Sequence, residues 1–188
     1  MLDTFREGYM ILETKRLLLR DYRIENIDNF FKLKSQNEVW EYSSFIPLTD
    51  ISQANLLINN LIDKRIKGNY DFMALYKKDT KEFIGEAGII GNNPNANRCV
   101  IGYNLLPEYW NQGYATEITK SLIKYAFESL GFERIEAITL QYNIASCKVL
   151  ENSGFLLEGV LRNFNKCNTG YRNACYYGII SSDFYKKL

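Results

Sequence analysis

The chain has 188 residues, a formal charge of +1, 46% hydrophobic and 24% charged residues, which suits one soluble domain (1–188) able to bury most of its apolar surface in one core. Near-neutral charge without a long basic run gives no electrostatic footprint for nucleic acid and no polybasic segment for a membrane surface. Histidine is absent and Cys99, Cys147, Cys167 and Cys175 form no Cys-x-x-Cys pair, so common zinc patterns and histidine-based nucleophilic dyads are excluded and no metal site is expected.

No apolar run approaches bilayer length, and the first ten residues carry Asp3, Arg6 and Glu7 in place of a signal-peptide core. A reducing cytoplasm suits the scattered cysteines. Residues 1–11 read as a loose leader. Residues 16–20 then read as a short strand, and residues 26–34 as a helix with Ile27, Phe30, Phe31 and Leu33 on its apolar side. Trp40, Tyr42, Phe45 and Ile46 crowd an irregular stretch closed by Pro47, either a satellite hydrophobic cluster or one wall of an acceptor pocket.

Asp50 or Ser52 can cap the next helix, which runs through Ala54, Ile58, Leu61 and Ile66 to Gly68. Residues 72–76 and 83–90 form a predicted hairpin around the polar tip 78–81, and the Asn-rich turn 92–97 leads into a strand at 100–106 interrupted by Gly102. Gly102 permits a bulge that would unpair part of that strand, or else marks close packing. From Ala115, apolar residues recur at Ile118, Leu122, Ala126 and Leu130, one face of an amphipathic helix. Residues 134–140 alternate as a half-buried strand, so strand, helix and strand predict a right-handed parallel crossover. A helix at 143–153 stopped by Gly154, a strand at 155–161, a loop around 163–170 and a last strand at 174–181 complete a mixed α/β (α+β) sheet of about seven strands.

The first amides of a helix lack carbonyl partners and carry partial positive charge, which suits a phosphate. Gly113 keeps side-chain bulk away from that helix start, and Ala115 is the next smallest residue. A main-chain cradle for a pyrophosphate is one reading of residues 110–116; an ordinary loop glycine before a helix is the other. The spacing excludes the Gly-x-x-x-x-Gly-Lys-Ser/Thr and Gly-x-Gly-x-x-Gly loops.

Taken together, three pieces of residues 12–182 resemble the Gcn5-related N-acetyltransferases, and within them the branch that acetylates ribosomal-protein N-termini. Trp110-Asn111-Gln112-Gly113-Tyr114-Ala115 is similar to the family's pyrophosphate motif, with Trp at its first place. Residues 143–155 resemble its Asn-x-x-Ser to Gly-Phe helix, and residues 14–20 the branch's opening strand. The resemblance implies acetyl-coenzyme A held between the family's splayed fourth and fifth strands, by Tyr103, Asn104, Leu105, Gln112, Gly113, Tyr114, Ala115, Thr116 and Asn143, with an amine acceptor entering from the other side. It also implies that Ser146 protonates the leaving sulfur, because the tyrosine many members use is matched here by Leu150. Asn143 is equally suited to cap the helix, and the two roles are compatible. Cys147 as an acyl-enzyme nucleophile lacks an evident base.

The family's base positions fall near Cys99 or Val100 and near Asn165, none of them a carboxylate. Glu86 is the remaining candidate base, with an outward-facing hairpin charge as the alternative; an acceptor α-amine of pKa about 8 would lessen the need for one. The acceptor is expected to be a protein N-terminal α-amine. Alternatives are a polyamine or aminoglycoside, for which Glu38, Glu41, Asp50 and Asp71 would have to gather, and a non-catalytic acyl-CoA-binding module. The chain is expected to be a monomer or homodimer.

Overall fold

The computed structural model describes residues 10–167 and 170–186. One sheet contains β1 (Met10–Glu13), β2 (Leu17–Arg20), β3 (Met73–Lys77), β4 (Phe83–Asn93), β5 (Arg98–Leu105), β6 (Arg134–Leu140), β7 (Leu156–Cys167) and β8 (Gly170–Ile180), in the order β1-β2-β3-β4-β5-β6-β8-β7. Neighbours are antiparallel except β5 and β6, which are parallel. The helices are α1 (Ile27–Lys34), α2 (Asn37–Trp40), α3 (Ile51–Ile66), α4 (Tyr114–Lys124), α5 (Ile144–Asn152) and α6 (Ser181–Tyr185). The mixed, mostly antiparallel sheet expected from the sequence is therefore present, with α4 as the crossover between the parallel strands.

Side-chain alternation explains the layering. On β3, Met73 and Leu75 enter the core cluster that holds Ile118, Leu122 and Ile123 of α4, whereas Ala74 between them joins Phe30 and Leu33 of α1 and Ala54, Ile58 and Leu61 of α3. Asp50 caps α3 by accepting from the Ser52 amide at 2.7 Å. Beyond Lys124 the helix widens into a π turn, Tyr125–Ser129, so Ala126 stays buried on the predicted apolar side.

Three expectations need correction, and one element was not foreseen. The expected leader overlaps a strand, for Met10–Glu13 pairs with β2; residues 1–9 of that leader lie outside the described residues. The expected loop around 163–170 is mostly hairpin, because β7 runs on to Cys167 and β8 starts at Gly170. Its polar residues look loop-like because they face water on an edge strand, and Asn163 interrupts the ladder with a left-handed φ of 52°. The helix at Ser181–Tyr185 had no sequence signal of its own. The expected bulge at Gly102 lies instead on the partner strand, where the register slips between Ile89 and Gly91; Gly102 pairs normally with Gly88. Close packing explains Gly102, since a Cβ there would meet Ile90 at 3.1 Å and Phe72 at 3.2 Å.

Candidate active site

The parallel pair β5 and β6 is joined at only three positions, Arg98 to Arg134, Cys99 to Ile135 and Val100 to Glu136. Beyond them β5 stays on β4 and β6 on β8, so the two strands part and leave a V with main-chain groups along its inner edges. Side chains fasten the closed end. Arg98 pairs with Glu136, Arg134 Nε donates to Glu136 at 2.8 Å, and Arg134 Nη1 donates to Glu158 on β7 at 2.8 Å. Burial pushes the Glu136 carboxyl up, but hydrogen bonds from Arg134 and Tyr176 and the Arg98 charge outweigh it and hold the carboxyl low.

At the open end, Trp110 Nε1 donates to the Leu105 carbonyl at 2.8 Å and ties the end of β5 to the loop before α4. Asn111 and Gly113 in that loop are both left-handed, with φ of 58° and 79°, a conformation that turns successive amides into a concavity suited to anions. Gly113 is the N-cap of α4 and no side chain caps the helix. A Cβ at Gly113 would approach only the Arg16 guanidinium, at 3.4 Å, so the space in front of these amides is open and flanked by positive charge. Arg16 is itself anchored: it pairs with Glu117 at 2.6 Å, donates to the Gln112 carbonyl at 3.0 Å and lies over the Tyr114 ring at 4.4 Å. The Gln112 side chain turns back to the Glu108 carbonyl, leaving its main chain to face the cradle. These residues fit a pyrophosphate.

Across the V, Tyr103 on β5 and Ser146 on α5 approach each other, their hydroxyl oxygens 2.9 Å apart. Asn143 Oδ1 accepts from the Ser146 amide at 3.0 Å, which caps α5 and leaves the Asn143 side-chain N–H₂ available to another group. Cys147, the next residue, is buried against Cys175 and Tyr177. Burial pushes the Tyr103 phenol up to about 12, against the opposing effect of its hydrogen bond with Ser146, so it keeps its proton at neutral pH.

Residues 16–156 match the acetyltransferase (GNAT) domain. The chain belongs to the GNAT acetyltransferases. It is 32% identical over 173 residues to p20, an uncharacterized N-acetyltransferase of Bacillus licheniformis, covering 92% of this chain and 97% of that one. Its fold is shared at TM-score 0.83 and 19% identity with RimL, a ribosomal L7/L12 alpha-N-protein acetyltransferase in complex with coenzyme A, covering 92% of this chain and 98% of that one. The ribosomal-protein-S5-alanine acetyltransferase of Vibrio fischeri shares it at TM-score 0.80 and 17% identity, with 92% and 97% covered. The chain is thus an acetyl-CoA-dependent N-acetyltransferase, as its motifs implied.

In this acetyltransferase Glu86 is fully buried rather than an outward-facing hairpin charge. Its carboxylate accepts from Lys34 Nζ at 2.7 Å, Asn104 Nδ2 at 2.8 Å and Tyr22 OH at 3.3 Å. Four rings surround the Lys34 ammonium, with centroids at 4.5 Å for Trp40, 5.2 Å for Phe30, 5.3 Å for Phe45 and 5.5 Å for Phe72. The pair ties α1 to the wall of the V through Asn104 and braces the aromatic stretch after α2. Sequence reading missed Lys34, which sits at the end of a helix where lysines normally face water, and missed Arg16, whose partners lie about a hundred positions away.

Beside this cage opens a cleft of about 770 Å³ between α2 with the stretch that follows it, the end of β6, and the β7–β8 hairpin. Trp40, Tyr42, Leu140, Tyr142, Glu41 and Arg172 are among its lining residues. The crowded aromatics after α2 therefore form both a satellite cluster and a cleft wall. The carboxylates a polycation would need are dispersed: Asp50 caps α3, Asp71 pairs with Lys64 at 2.9 Å, and of the four considered only Glu41 lines the cleft.

Proposed function

We propose that this acetyltransferase moves the acetyl group of acetyl-coenzyme A to the α-amine of a protein N-terminus, by direct attack with both substrates bound. The observation that carries the reading is the V between β5 and β6, with an open amide cradle at Gly113 and a Tyr103–Ser146 hydroxyl pair facing it. The main chain at Gln112, Gly113, Tyr114, Ala115 and Thr116 binds the pyrophosphate, and Arg16 adds charge beside it. Along the V, β5 turns every second residue's backbone groups away from β4, so Tyr103 and the Leu105 amide face the amides of the pantetheine arm, while the Asn104 backbone pairs with Glu86 and the Leu105 carbonyl is taken by Trp110; the Asn143 N–H₂ supplies a further donor.

When bound, acetyl-coenzyme A supplies a thioester already reactive toward a neutral amine. The residues here hold amine and carbonyl carbon together, and Ser146 delivers a proton to the sulfur as the carbon–sulfur bond breaks. Tyr103 stands behind Ser146 and returns that proton to the serine, and solvent reprotonates the phenol before the next turnover. Glu86 is unsuited to accept the amine proton, because Lys34, Asn104 and Tyr22 occupy it away from solvent. An α-amine of pKa about 8 is partly neutral at physiological pH, so solvent suffices to take its proton. Two fold neighbours, RimL and the Vibrio fischeri enzyme, are described as acting on ribosomal proteins, which favours this acceptor class. The dispersal of the acidic side chains weighs against polyamines and aminoglycosides.

The test is release of free coenzyme A thiol from acetyl-coenzyme A with short peptides, spermidine and kanamycin as acceptors. N-terminally free peptides should turn over and their N-acetylated forms should not. Turnover confined to spermidine or kanamycin would replace this acceptor class with a small-amine one.

A further inference from the structure

Taking acetyl transfer to an α-amine as given, we infer that the cleft beside the Lys34 cage selects peptides with a large apolar or aromatic side chain at the first position and an acidic side chain at the second or third. The first half rests on rings held in place. Trp40 is pinned by its Nε1 hydrogen bond to the Leu33 carbonyl at 3.1 Å, by Phe45 at a centroid distance of 4.4 Å and by the Lys34 ammonium beneath it. Tyr142 stands on another wall, 67% exposed and one residue before the Asn143 cap, so it joins the cleft to the turn that carries Ser146. Leu140, where β6 ends, adds an apolar surface. A ring or branched apolar side chain next to the amine finds surfaces here that need little ordering to receive it.

The second half rests on Arg172. Arg172, a half-buried residue, lines the cleft, and its one hydrogen bond among the described residues is to the neighbouring Tyr171 carbonyl at 3.0 Å; no carboxylate among them pairs with it. A planar guanidinium presents several donors in a fixed fork that matches a carboxylate. The same charge repels a second cation on an acceptor, whether a lysine early in a peptide or the further ammonium groups of a polyamine. Glu41, exposed just after α2 and also lining the cleft, suits one ammonium and does not suit several.

Four peptides of equal length, beginning Phe-Glu, Phe-Lys, Ala-Glu and Ala-Lys, test both halves by thiol release, with spermidine alongside. The expected order puts Phe-Glu first in kcat/KM, about tenfold or more above Ala-Lys. In Arg172→Gln the Glu-over-Lys ratio should fall to about one while Phe-over-Ala persists, and Arg172→Lys should restore part of the charge preference. In Tyr142→Ala, at an exposed position, Phe-over-Ala should shrink while Glu-over-Lys persists. Calorimetry with acetyl-coenzyme A checks that each variant is folded. Equal rates for the four peptides, or ratios unmoved in the variants, would overturn the selectivity and leave acetyl transfer to α-amines standing. Thiol release with none of the amines would overturn both.

Discussion

Ser146 alone is a poor acid, since an isolated hydroxyl holds its proton far more tightly than a thiol does. A phenol 2.9 Å behind it changes that, because the proton Ser146 gives up can be replaced from Tyr103 as it leaves. Ser146→Ala should therefore lower kcat about a hundredfold with acetyl-coenzyme A affinity kept, and Tyr103→Phe should lower it less, by about tenfold. If the two act in series, the double variant will be no slower than Ser146→Ala; multiplied losses would separate them. The Asn143 cap survives the change because it uses the Ser146 amide, not its hydroxyl. Glu86 makes a contrasting prediction. Glu86→Gln should leave the pH–rate profile in place yet destabilise the fold by about 3–5 kcal/mol in urea, since it strands the Lys34 ammonium among four rings. Adding Lys34→Met should recover much of that loss, whereas a missing acidic limb in Glu86→Gln would restore Glu86 as the base. The placement of Asn143 as the α5 cap, with Ser146 in its first turn, was legible because a local motif carries both. Lys34 was not, because a buried lysine looks like any other until the carboxylate from another element is beside it.

The β5–α4–β6 crossover was readable as an element because each part carries its own periodicity and a glycine marks where the helix begins. The parting of the two strands came only through the family resemblance and not through periodicity, because it depends on where the β5–β6 pairing stops, between residues 36 positions apart. Gly102 illustrates the gap: a glycine in a strand signals either a bulge or a close approach, and only the position of Phe72 and Ile90 decides for packing. The role proposed for Gly113 is one that its local conformation makes testable. Its φ of 79° makes any side chain there strained, by roughly 1–2 kcal/mol. Since the room in front is otherwise open, Gly113→Ala should remain folded. The added methyl intrudes where a phosphate must approach the amides, so acetyl-coenzyme A should bind at least about tenfold more weakly by calorimetry, with adenosine binding little altered. An unchanged affinity would move the pyrophosphate away from this turn.

For the molecule as a whole, the ion pairs have a common effect on stability against acid. Glu158 is held low by the Arg134 hydrogen bond, and Glu136 and Glu117 are held low by bonds from Arg134 and Tyr176 and from Thr14 and Arg16 that outweigh their burial. Such a carboxyl binds its proton more weakly in the folded chain than in the unfolded one. Its contribution is complete above the unfolded pKa near about 4.3 and is lost as pH falls through the lower folded value. The urea midpoint should therefore stay level from pH 7 to about 5 and drop steeply below about 4. Glu136 matters most here because its side chain is 5% exposed, whereas Glu158 at 41% is screened by water and salt. Glu136→Gln should start less stable at neutral pH, with Arg98 and Arg134 deprived of a partner, and then lose less on acidification than the parent. Because these residues clamp the only three rungs between β5 and β6, the parent should lose acetyl-coenzyme A binding over the same acid range. A midpoint that declines already between pH 7 and 5, or an acid slope identical in Glu136→Gln, would show that the clamp at the closed end of the V is not what acid releases.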